Sequence, residues 1–508
     1  MAFEIIDADV LVIGRGLAGT VAALTAADHG LRVVVLSRGE SATSYAQGGI
    51  VYRGKGDPDA LRDDICEAGC YINYKPAVEK LLERGPGLVD KWLRERFEVP
   101  FNKGEDGQNL DLALEGAHQS RRIIHVKDHT GRNIVERQER ELKAHSKIEL
   151  LEGSLIDLIV SNKHSVEPQK VYETLQVNGA YVLLSDMRVV AINSKATILA
   201  SGGFSALYQY STGPKTSIGA GIAAAHRAGA RTLHMEYTQF HPTVLLVNSE
   251  PKALITEAIR GEGAQILNLS GKKFTESLAP RDVVARAMHD EMSEGESPHL
   301  FLDIRNVKSI DEKFPGLVAR LENENIDYSN GLLPIVPAAH YSIGGVWTDI
   351  NAATNLKGLW ACGEVACSGL HGANRLASTS LLEALVFGET AGAHAAEFVN
   401  GQAHPKFKVK AWIEGAEAVD STLIRQDWSV LKKTMWNYLG LVRSQKRIQR
   451  AERLLVDLRN GVESFYKSGQ LAHDLVALRH AVLVATLCLY AAKQNRKSLG
   501  SHYLRENF

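Results

Sequence analysis

The beginning of the chain alternates between apolar runs and a helical pattern. Residues 8–13 form a short apolar run, residues 20–29 have helical composition, and residues 32–36 are apolar and β-branched. Runs of this kind are typical of strands buried on both faces of a parallel sheet. Gly30 stands where the helix should end, a position at which glycine is common. The pattern predicts a strand, a helix and a second, parallel strand, as in an α/β fold.

Three longer regions differ in their patterning. Residues 151–200 are rich in strand-like segments. From about residue 236 to about residue 341, polar and charged residues mix with turns, and short apolar runs then return at residues 359–362. After residue 399 the chain has the spacing of amphipathic helices to its end. These changes of character predict separate domains.

Composition and charge exclude several classes of function. The 508 residues are 45% hydrophobic, which suits a globular protein of several domains. A net charge of -1 gives no electrostatic preference for nucleic acid or for an anionic membrane. The apolar run at residues 481–492 is shorter than the roughly 20 residues that span a bilayer, and it predicts a core helix. The five cysteines lack a disulfide spacing, so we expect a cytoplasmic protein.

The most informative local motif lies between the first strand and the first helix, where residues 14–19 read GRGLAG. In a G-x-G-x-x-G motif the first glycine permits a tight turn and the second lets the backbone approach a pyrophosphate. The third glycine lets the helix pack closely on the strand. The helix N-terminus offers N–H groups and a partial positive charge to phosphate. The motif predicts dinucleotide binding, and a glycine turn that only packs is the alternative.

The residues that follow the second strand favour a flavin over a nicotinamide cofactor. Nicotinamide-binding folds carry an acidic residue at the end of this strand. Here Ser37 and Arg38 occupy that position, and Glu40 comes just beyond. Residues 358–364, GLWACGE, read as a second short strand that ends in Glu364. An acid at such a place can hold the ribityl or ribose hydroxyls of FAD, although a surface glutamate remains the alternative.

Polar clusters occur among small residues at widely separated positions, and their composition suits a dicarboxylate. Arginine offers a planar bidentate fork, and histidine offers a directed donor. A zinc site is the rival interpretation, but no histidine pair has the spacing of a zinc motif, so we predict no metal. The clusters lie at residues 115–118, 241–243, 256–257, 260–263, 279–282, 338–341 and 371–375.

The last cluster stands directly before an apolar helical run. Ser380 and Glu383 have the spacing of a capping box, which predicts a helix that begins at Ser380. We expect Arg375 to bind a carboxylate and expect His371 and Asn374 to shape the turn before the helix. The positive end of this helix is expected to face the flavin.

Several stretches match a known family closely: the opening motif, AQGGI at 46–50, RGEGA at 260–264, LAPRDVVARA at 278–287 and PAAHYSIGGV at 337–346. With these, nearly the whole chain resembles the succinate dehydrogenase/fumarate reductase flavoprotein family. The resemblance implies an α/β fold, in which a Rossmann-like FAD-binding domain carries an inserted α+β capping domain and a C-terminal helical domain follows. The implied boundaries are 1–234 and 342–402 for the FAD-binding domain, 235–341 for the capping domain and 403–508 for the helical domain.

Within that family, the chain is most similar to members that oxidise L-aspartate. The HGANRLAS wording followed by SLLE and the E-G-x-H segment at Glu115 carry this similarity. In respiratory members a histidine that binds FAD covalently stands where this chain has Ala42. The resemblance therefore implies non-covalent FAD and oxidation of L-aspartate to iminoaspartate, the first step of de novo NAD biosynthesis. It implies reoxidation of FADH2 by O2 or fumarate, and it makes quinolinate synthase a candidate partner.

The resemblance also implies roles for individual residues. Arg281 is the expected proton donor or acceptor, Glu115 faces the substrate amino group, and Glu257 is a charge partner within the site. The residues expected to bind the substrate carboxylates are His241, which we also group with the catalytic residues, Thr256, His340 and Arg375. The residues expected to contact FAD are Gly14, Arg15, Gly16, Leu17, Ala18, Gly19, Ser37, Arg38, Thr43, Ser44, Tyr45, Ala46, Gln47, Gly48, Gly49, Glu364, Ser380 and Leu381.

The sequence departs from the family pattern at several positions, and other functions remain open. Ala117 and Gln119 replace a glycine and a serine, and Ala220 replaces an aspartate that usually contacts FAD. One alternative is a soluble fumarate reductase or an oxidase of another small dicarboxylic or amino acid. Another is a flavoprotein subunit that docks an electron-transfer partner, against which Ala42 argues.

Overall fold

The computed structural model describes residues 3–104, 106–401 and 407–505. The helices are α1 Leu17–Asp28, α2 Asp59–Ala68, α3 Lys75–Leu88, α4 Thr130–Ala144, α5 Ser161–His164, α6 Ala220–Ala228, α7 Ala258–Gly261, α8 Arg281–Glu294, α9 Ile310–Lys313, α10 Pro315–Asn323, α11 Ser380–Asn400, α12 Ser421–Leu439, α13 Gln445–Ser468 and α14 His473–Gln494. A π-helical segment, Val89–Arg96, continues α3.

The strands are β1 Ile5–Ile13, β2 Val33–Ser37, β3 Ile50–Val51, β4 Ile123–Ile124, β5 Ile148–Val160, β6 Val177–Leu184, β7 Val189–Leu199, β8 Thr232–Leu233, β9 Thr238–Leu245, β10 Ala253–Leu254, β11 Gln265–Leu267, β12 Leu300–Asp303, β13 Leu332–Ser342, β14 Gly345–Trp347, β15 Leu359–Ala361 and β16 Ala366–Cys367. The predicted strand, glycine turn, helix and parallel strand at the start of the chain are confirmed as β1, α1 and β2.

The main sheet is a parallel row in the order β5–β2–β1–β7–β15, and β6 pairs antiparallel with both β5 and β7. Side chains of β1 alternate between the two faces, as the pleat of a strand requires. Val10 and Val12 pack in one core with α1 and α11, while Leu11 and Ile13 pack in another with α6 and α14. Helices therefore cover both faces, which explains the continuous apolar run in β1 and confirms the α/β fold class.

Helices α1 and α11 lie side by side on one face of the main sheet, with their backbones in close approach. A Cβ atom added at Gly388 would lie 2.7 Å from the Ala18 carbonyl oxygen, and one at Gly392 would lie 2.5 Å from that of Ala22. Any larger side chain at these two positions would push the helices apart. The glycines of α11 therefore set the distance between the two helices.

A second sheet is antiparallel, in the order β10–β9–β13–β12–β11, and it has a hydrophobic core of its own. Helix α8 packs against β9 and β13 of this sheet. We call residues 238–342 the cap; they coincide closely with the region of mixed polarity in the sequence. The domain boundaries themselves stay a prediction, and the one at residues 402 and 403 lies outside the described residues.

The C-terminal helices α12, α13 and α14 pack on one another, and their apolar side chains join the core around β5, β6 and β7. Among the described residues, α14 is the helix long and apolar enough to cross a membrane by length and composition. However, 67% of its most apolar segment is buried inside the protein. The prediction of a core helix at residues 481–492 is therefore confirmed.

Candidate functional site

A cavity of about 860 Å³ runs from the carboxyl ends of β1 and β2 to the cap. In a parallel α/β sheet this is the edge at which ligands bind. Its far wall includes side chains of α12 and α14, among them Trp428, Lys432 and Ala477. One continuous space therefore contacts the glycine motif at one end and the cap at the other.

The glycine motif forms the turn between β1 and α1 at one end of the cavity, which we call the nucleotide end. Gly14 has φ +117°, and a Cβ atom there would lie 2.0 Å from the Ala200 carbonyl oxygen. The backbone N–H of Leu17, the first residue of α1, donates to Thr43 Oγ1 at 3.1 Å. The turn thus holds backbone close to the cavity at a helix N-terminus, which suits a pyrophosphate.

Most residues expected to contact FAD do line the cavity, with two exceptions. Gly19 lies outside the lining, because it packs α1 on the strand: a Cβ atom there would lie 2.1 Å from the Gly14 carbonyl oxygen. Ser44 also lies outside, since its hydroxyl donates to the Ser41 carbonyl oxygen at 2.8 Å. The predicted residues that line the cavity are Gly14, Arg15, Gly16, Leu17, Ala18, Ser37, Arg38, Thr43, Tyr45, Ala46, Gln47, Gly48, Gly49, Glu364, Ser380 and Leu381.

Glu364 lines the cavity from the short turn after β15. Its Oε1 accepts a hydrogen bond from the Ser342 backbone N–H at 2.8 Å. Burial raises the pKa of Glu364 to about 7, and the Ser342 N–H opposes this shift. A carboxylate of this kind gains from further hydroxyl donors, which is the chemistry that FAD hydroxyls offer. Together with the glycine turn and the cavity volume, this carboxylate fits FAD.

Two departures from the family pattern also lie on this wall of the cavity. Ala220, the first residue of α6, lines the cavity with a methyl group where the family resemblance implies a carboxylate. Ala42 lines it as well, at the start of a short 3₁₀ turn, and its side chain has no nucleophilic atom. The cavity therefore offers no covalent attachment point at residue 42.

Arg281 and Glu257 form an ion pair at the opposite end of the cavity, which we call the substrate end. Arg281 Nε donates to Glu257 Oε2 at 2.6 Å, and Arg260 Nη2 lies 3.5 Å from Glu257 Oε1. Burial alone would raise the pKa of Glu257, but the guanidinium groups of Arg281 and Arg260 hold it below its ordinary value. Among the described residues, the buried Nη1 of Arg281 has no hydrogen-bond partner. It remains available to a ligand.

Arg375 approaches the same space from the turn before α11. Its Nη2 donates to Gln239 Oε1 at 3.0 Å, its Nη1 donates to Ser380 Oγ at 3.2 Å, and its guanidinium carbon lies 4.6 Å from the centre of the Tyr341 ring. Burial, reinforced by the charge of Arg281, lowers the pKa of Arg375 to about 10. Its buried Nε has no hydrogen-bond partner within the described residues. Gln239, Ser380 and Tyr341 therefore fix the orientation of the Arg375 side chain, and its Nε remains available to a ligand.

His241 and His340 stand on the neighbouring cap strands β9 and β13, with ring centres 5.4 Å apart. Burial, with the nearby arginine charges, holds the pKa of both rings well below the usual range. The hydroxyl of Thr212 lies 2.8 Å from Nδ1 of His340 and orients that ring. Both histidines are therefore neutral at physiological pH and act as directed polar groups rather than as charges.

Glu115 and Thr256 complete the substrate end. Ser378 Oγ donates to Glu115 Oε2 at 2.7 Å. Burial raises the pKa of Glu115, although the charge of Arg281 opposes this shift. A Cβ atom at Gly48 would lie 2.9 Å from Glu115 Oε1, so the glycine leaves room for the carboxylate beside the nucleotide end. All the residues expected to bind substrate thus meet in one place.

Several supporting residues were not predicted from the sequence. Gln239 holds Arg375 through Nε2, which donates to the Arg375 carbonyl oxygen at 2.8 Å, and through Oε1. Gln239 stands opposite Tyr341 in the pairing of β9 and β13. It also lies two residues before His241, on the same face of the strand. This period of two could have indicated it.

The helix after Arg375 begins at Ser380 as predicted, but the capping box is wrong. Glu383 does not reach back to the helix start, because its buried carboxylate accepts hydrogen bonds elsewhere. Tyr341 Oη and Ser368 Oγ each donate to it at 2.8 Å, and His371 Nε2 lies 2.9 Å away. The contact between His371 and Glu383 is consistent with the expectation that His371 helps to shape the turn before the helix.

A glycine turn at a helix N-terminus and a cluster of buried cationic side chains, joined by one cavity, mark a flavin-dependent oxidoreductase. Comparison with known proteins agrees: a family model described as "FAD binding domain" matches residues 9–381. L-aspartate oxidase 1 of Ralstonia nicotianae is 39% identical, with 98% of this chain and 95% of that protein covered. L-aspartate oxidase of Vibrio cholerae is 38% identical over 97% of this chain and 95% of that protein. The chain belongs to the L-aspartate oxidase family of FAD-binding proteins.

Solved structures show the same fold. E. coli quinol fumarate reductase aligns with a TM-score of 0.86 at 24% identity, covering 99% of this chain and 92% of that one. Mycobacterium smegmatis Sdh1 aligns with a TM-score of 0.82 at 27% identity, covering 99% and 89%. The prediction of a FAD-binding protein of this flavoprotein family is confirmed.

Proposed function

We propose that this protein oxidises L-aspartate to iminoaspartate, as the first step of de novo NAD biosynthesis, in the cytoplasm. The observation that carries the proposal is the grouping of three side chains in one cavity. Arg281 and Arg375 each bring a donor that has no hydrogen-bond partner in the part of the chain that the structure describes, and Glu115 brings an acceptor. L-Aspartate has the complementary set of two carboxylates and one ammonium group.

FAD would be held, without a covalent bond, by the backbone of residues 14–18, by residues 37–38 and 43–49 apart from Ser44, and by Glu364. When bound, FAD supplies a two-electron acceptor that takes a hydride from the substrate Cα. The chain contributes the arrangement of the substrate around that acceptor. Such positioning can lower a reaction barrier by several kcal/mol.

The two carboxylates of the substrate are proposed to bind between Arg375 and the cap residues His241, Thr256 and His340. Arginine–carboxylate contacts are charge-assisted and geometrically specific. The neutral histidines each offer a directed polar group to these carboxylates. Binding at both carboxylates fixes the carbon between them.

Glu115 is proposed to accept a hydrogen bond from the substrate ammonium group. Loss of the Cα hydride together with one N–H proton of the ammonium group gives the protonated imine, so that proton needs an acceptor. The raised pKa of Glu115 makes its carboxylate more basic than that of an exposed glutamate. Succinate lacks the amine and would leave this carboxylate without a partner, which favours aspartate.

Fumarate is a proposed second substrate of the same pocket and would reoxidise the reduced cofactor, as would O2. Arg281 is then the proposed proton donor to carbon. Its ion pair with Glu257 fixes Nε and leaves Nη1 directed elsewhere. The product iminoaspartate is unstable in water, which supports quinolinate synthase as a candidate acceptor.

The second candidate is a soluble fumarate reductase, since the carboxylate-binding groups suit any C4 dicarboxylate. An anaerobic reduction test separates the two. We expect L-aspartate to bleach the flavin absorbance of the holoprotein, and we expect succinate and D-aspartate to leave it unchanged. Bleaching by succinate with no response to L-aspartate would overturn the proposal in favour of the second candidate.

A further inference from the structure

A buried polar network lies next to Glu115 along the chain. His118, three residues further along the same loop, is buried, and its Nε2 lies 3.0 Å from the Ala377 carbonyl oxygen. Its Nδ1 lies 3.1 Å from Nη1 of Arg122. Arg122 is fully buried and pairs with the buried Asp64. The functions proposed so far use none of these three side chains.

The partners of His118 fix which ring nitrogen carries the proton. A guanidinium has N–H donors and no acceptor atom, so Nδ1 of His118 must accept from Arg122. Nε2 therefore carries the hydrogen and donates to Ala377. Burial lowers the pKa of His118 to about 4, and the charge of Arg122 acts in the same direction. The ring stays neutral, in one tautomer, across the physiological range.

The peptide that His118 holds belongs to a strained turn. Ser378, the next residue, has φ +56°, a left-handed conformation that is unfavourable for residues other than glycine. Such a conformation persists only where surrounding contacts determine it. The Ser378 carbonyl oxygen accepts from the Val51 N–H at 3.1 Å, and the His118 ring secures the peptide on the other side. This turn presents the Ser378 hydroxyl to Glu115.

We propose that His118 is a positioning residue that holds the turn at Ala377 and Ser378, so that Ser378 keeps the Glu115 carboxylate directed at the substrate amine. His118 therefore governs selection of an amino acid over a plain dicarboxylate without contacting either. Arg375, although close in sequence, is held separately by Gln239, Ser380 and Tyr341. Loss of the His118 contact leaves carboxylate binding in place.

This assignment rests on the proposed oxidation of L-aspartate and predicts a change of specificity rather than a general loss. In His118→Phe the ring remains and both nitrogens are removed. We expect kcat/KM for L-aspartate to fall about tenfold relative to kcat/KM for fumarate, the size of one charge-assisted hydrogen bond. Succinate affinity, measured by perturbation of the flavin spectrum, should stay within about twofold, below the effect of one lost hydrogen bond. His118→Gln, which keeps a donor towards Ala377, should restore most of the ratio.

Ser378→Ala removes the same link at its other end, and the His118→Phe/Ser378→Ala double variant should lose little more than either single variant. His29→Gln is the matched control, because the exposed His29 ring contacts the Thr25 carbonyl oxygen at 2.8 Å outside the cavity. If His118→Phe does not fold, His118→Asn, whose shorter amide does not reach Ala377, takes its place. An unchanged aspartate-to-fumarate ratio, or an equal loss of succinate affinity, overturns the assignment. A wild-type protein that fails to oxidise L-aspartate overturns the proposed function instead, and the assignment with it.

Discussion

The two ends of the cavity are built from different parts of the polypeptide. At the nucleotide end the main contributors are backbone: the turn at Gly14, the N-terminus of α1 and the segment at residues 46–49. At the substrate end the contributors are charged and polar side chains from the cap, from the loop before β4 and from the turn before α11. A backbone site depends on local conformation and hardly on pH. A site of buried side chains depends on the whole fold, and its charges respond to one another.

Burial shifts the pKa values of most titratable groups at the substrate end, and it also shifts that of Glu364. Arg375, His241, His340 and Glu115 all have pKa values moved towards the neutral form by burial. Glu257 is the exception, because two guanidinium groups outweigh its burial. At the substrate end, burial therefore destabilises the charge of Arg375, and a ligand with two carboxylates would stabilise that charge. We therefore expect mutations at the substrate end to change catalysis and mutations at the nucleotide end to change FAD retention.

The largest effect is expected from Arg281→Leu at the substrate end. Fumarate reduction by the holoprotein, measured with a reduced viologen dye, should fall about 10³-fold, because a preorganised donor aimed at the reacting atoms is lost. FAD content should stay at the wild-type level. Arg286→Leu, on the same helix but paired with Asp282, is the matched control. Full fumarate turnover in Arg281→Leu would remove this residue from the mechanism.

A smaller effect, seen in stability and FAD retention rather than in turnover, is expected from Gly14→Ala at the nucleotide end. The new Cβ would collide with the Ala200 carbonyl oxygen, so we expect a loss of about 3 kcal/mol in unfolding free energy and poor FAD retention. Gly30→Ala is the control, since Gly30 also has a positive φ, +84°, but has open space around it. It should cost about 1 kcal/mol and retain FAD. Equal losses in both variants would show that strain alone, and not the close approach, matters.

The smallest effect is expected from pH alone. The pKa of Arg375 is lowered to about 10, so its charge is present below that pH and is lost above it. Succinate affinity of the holoprotein should therefore be constant up to about pH 10 and then fall by up to tenfold per pH unit. FAD should be retained over the same range, since backbone N–H groups do not titrate and Glu364, with a pKa of about 7, is already ionised. If FAD retention and succinate affinity fell together as the pH rises, the proposed difference between the two ends of the cavity would be wrong.

The same contrast explains which parts of the molecule could be predicted from its sequence. The glycine turn is contiguous, and its conformation follows from residues within one short stretch. The dispersed residues that meet at the substrate end could be gathered only through resemblance to a family, because their proximity depends on the cap sheet. Gln239 escaped prediction because it lies outside every polar cluster of the sequence. Its role arises from its pairing with Tyr341 across β9 and β13.

The capping box at Ser380 failed for an equally physical reason. The spacing of Ser380 and Glu383 satisfies the local rule, but the rule assumes that the glutamate has no better partner. In the fold, Glu383 is buried beneath Tyr341 and receives donors from residues that are distant in space until the chain folds. Tertiary contacts override a local motif wherever a charged group becomes buried.

The close approach of α1 and α11 has a mechanical consequence. Helix α1 begins at the glycine turn, and α11 begins a few residues after Arg375, so the glycines at 388 and 392 fix the distance between that turn and Arg375. These two helices therefore form a closely packed pair whose separation is fixed. His241 and Arg281 stand on β9 and α8 of the cap, outside this helix pair. To admit a longer dicarboxylic acid, substitutions should therefore be made in the cap, and Gly388 and Gly392 should be left unchanged.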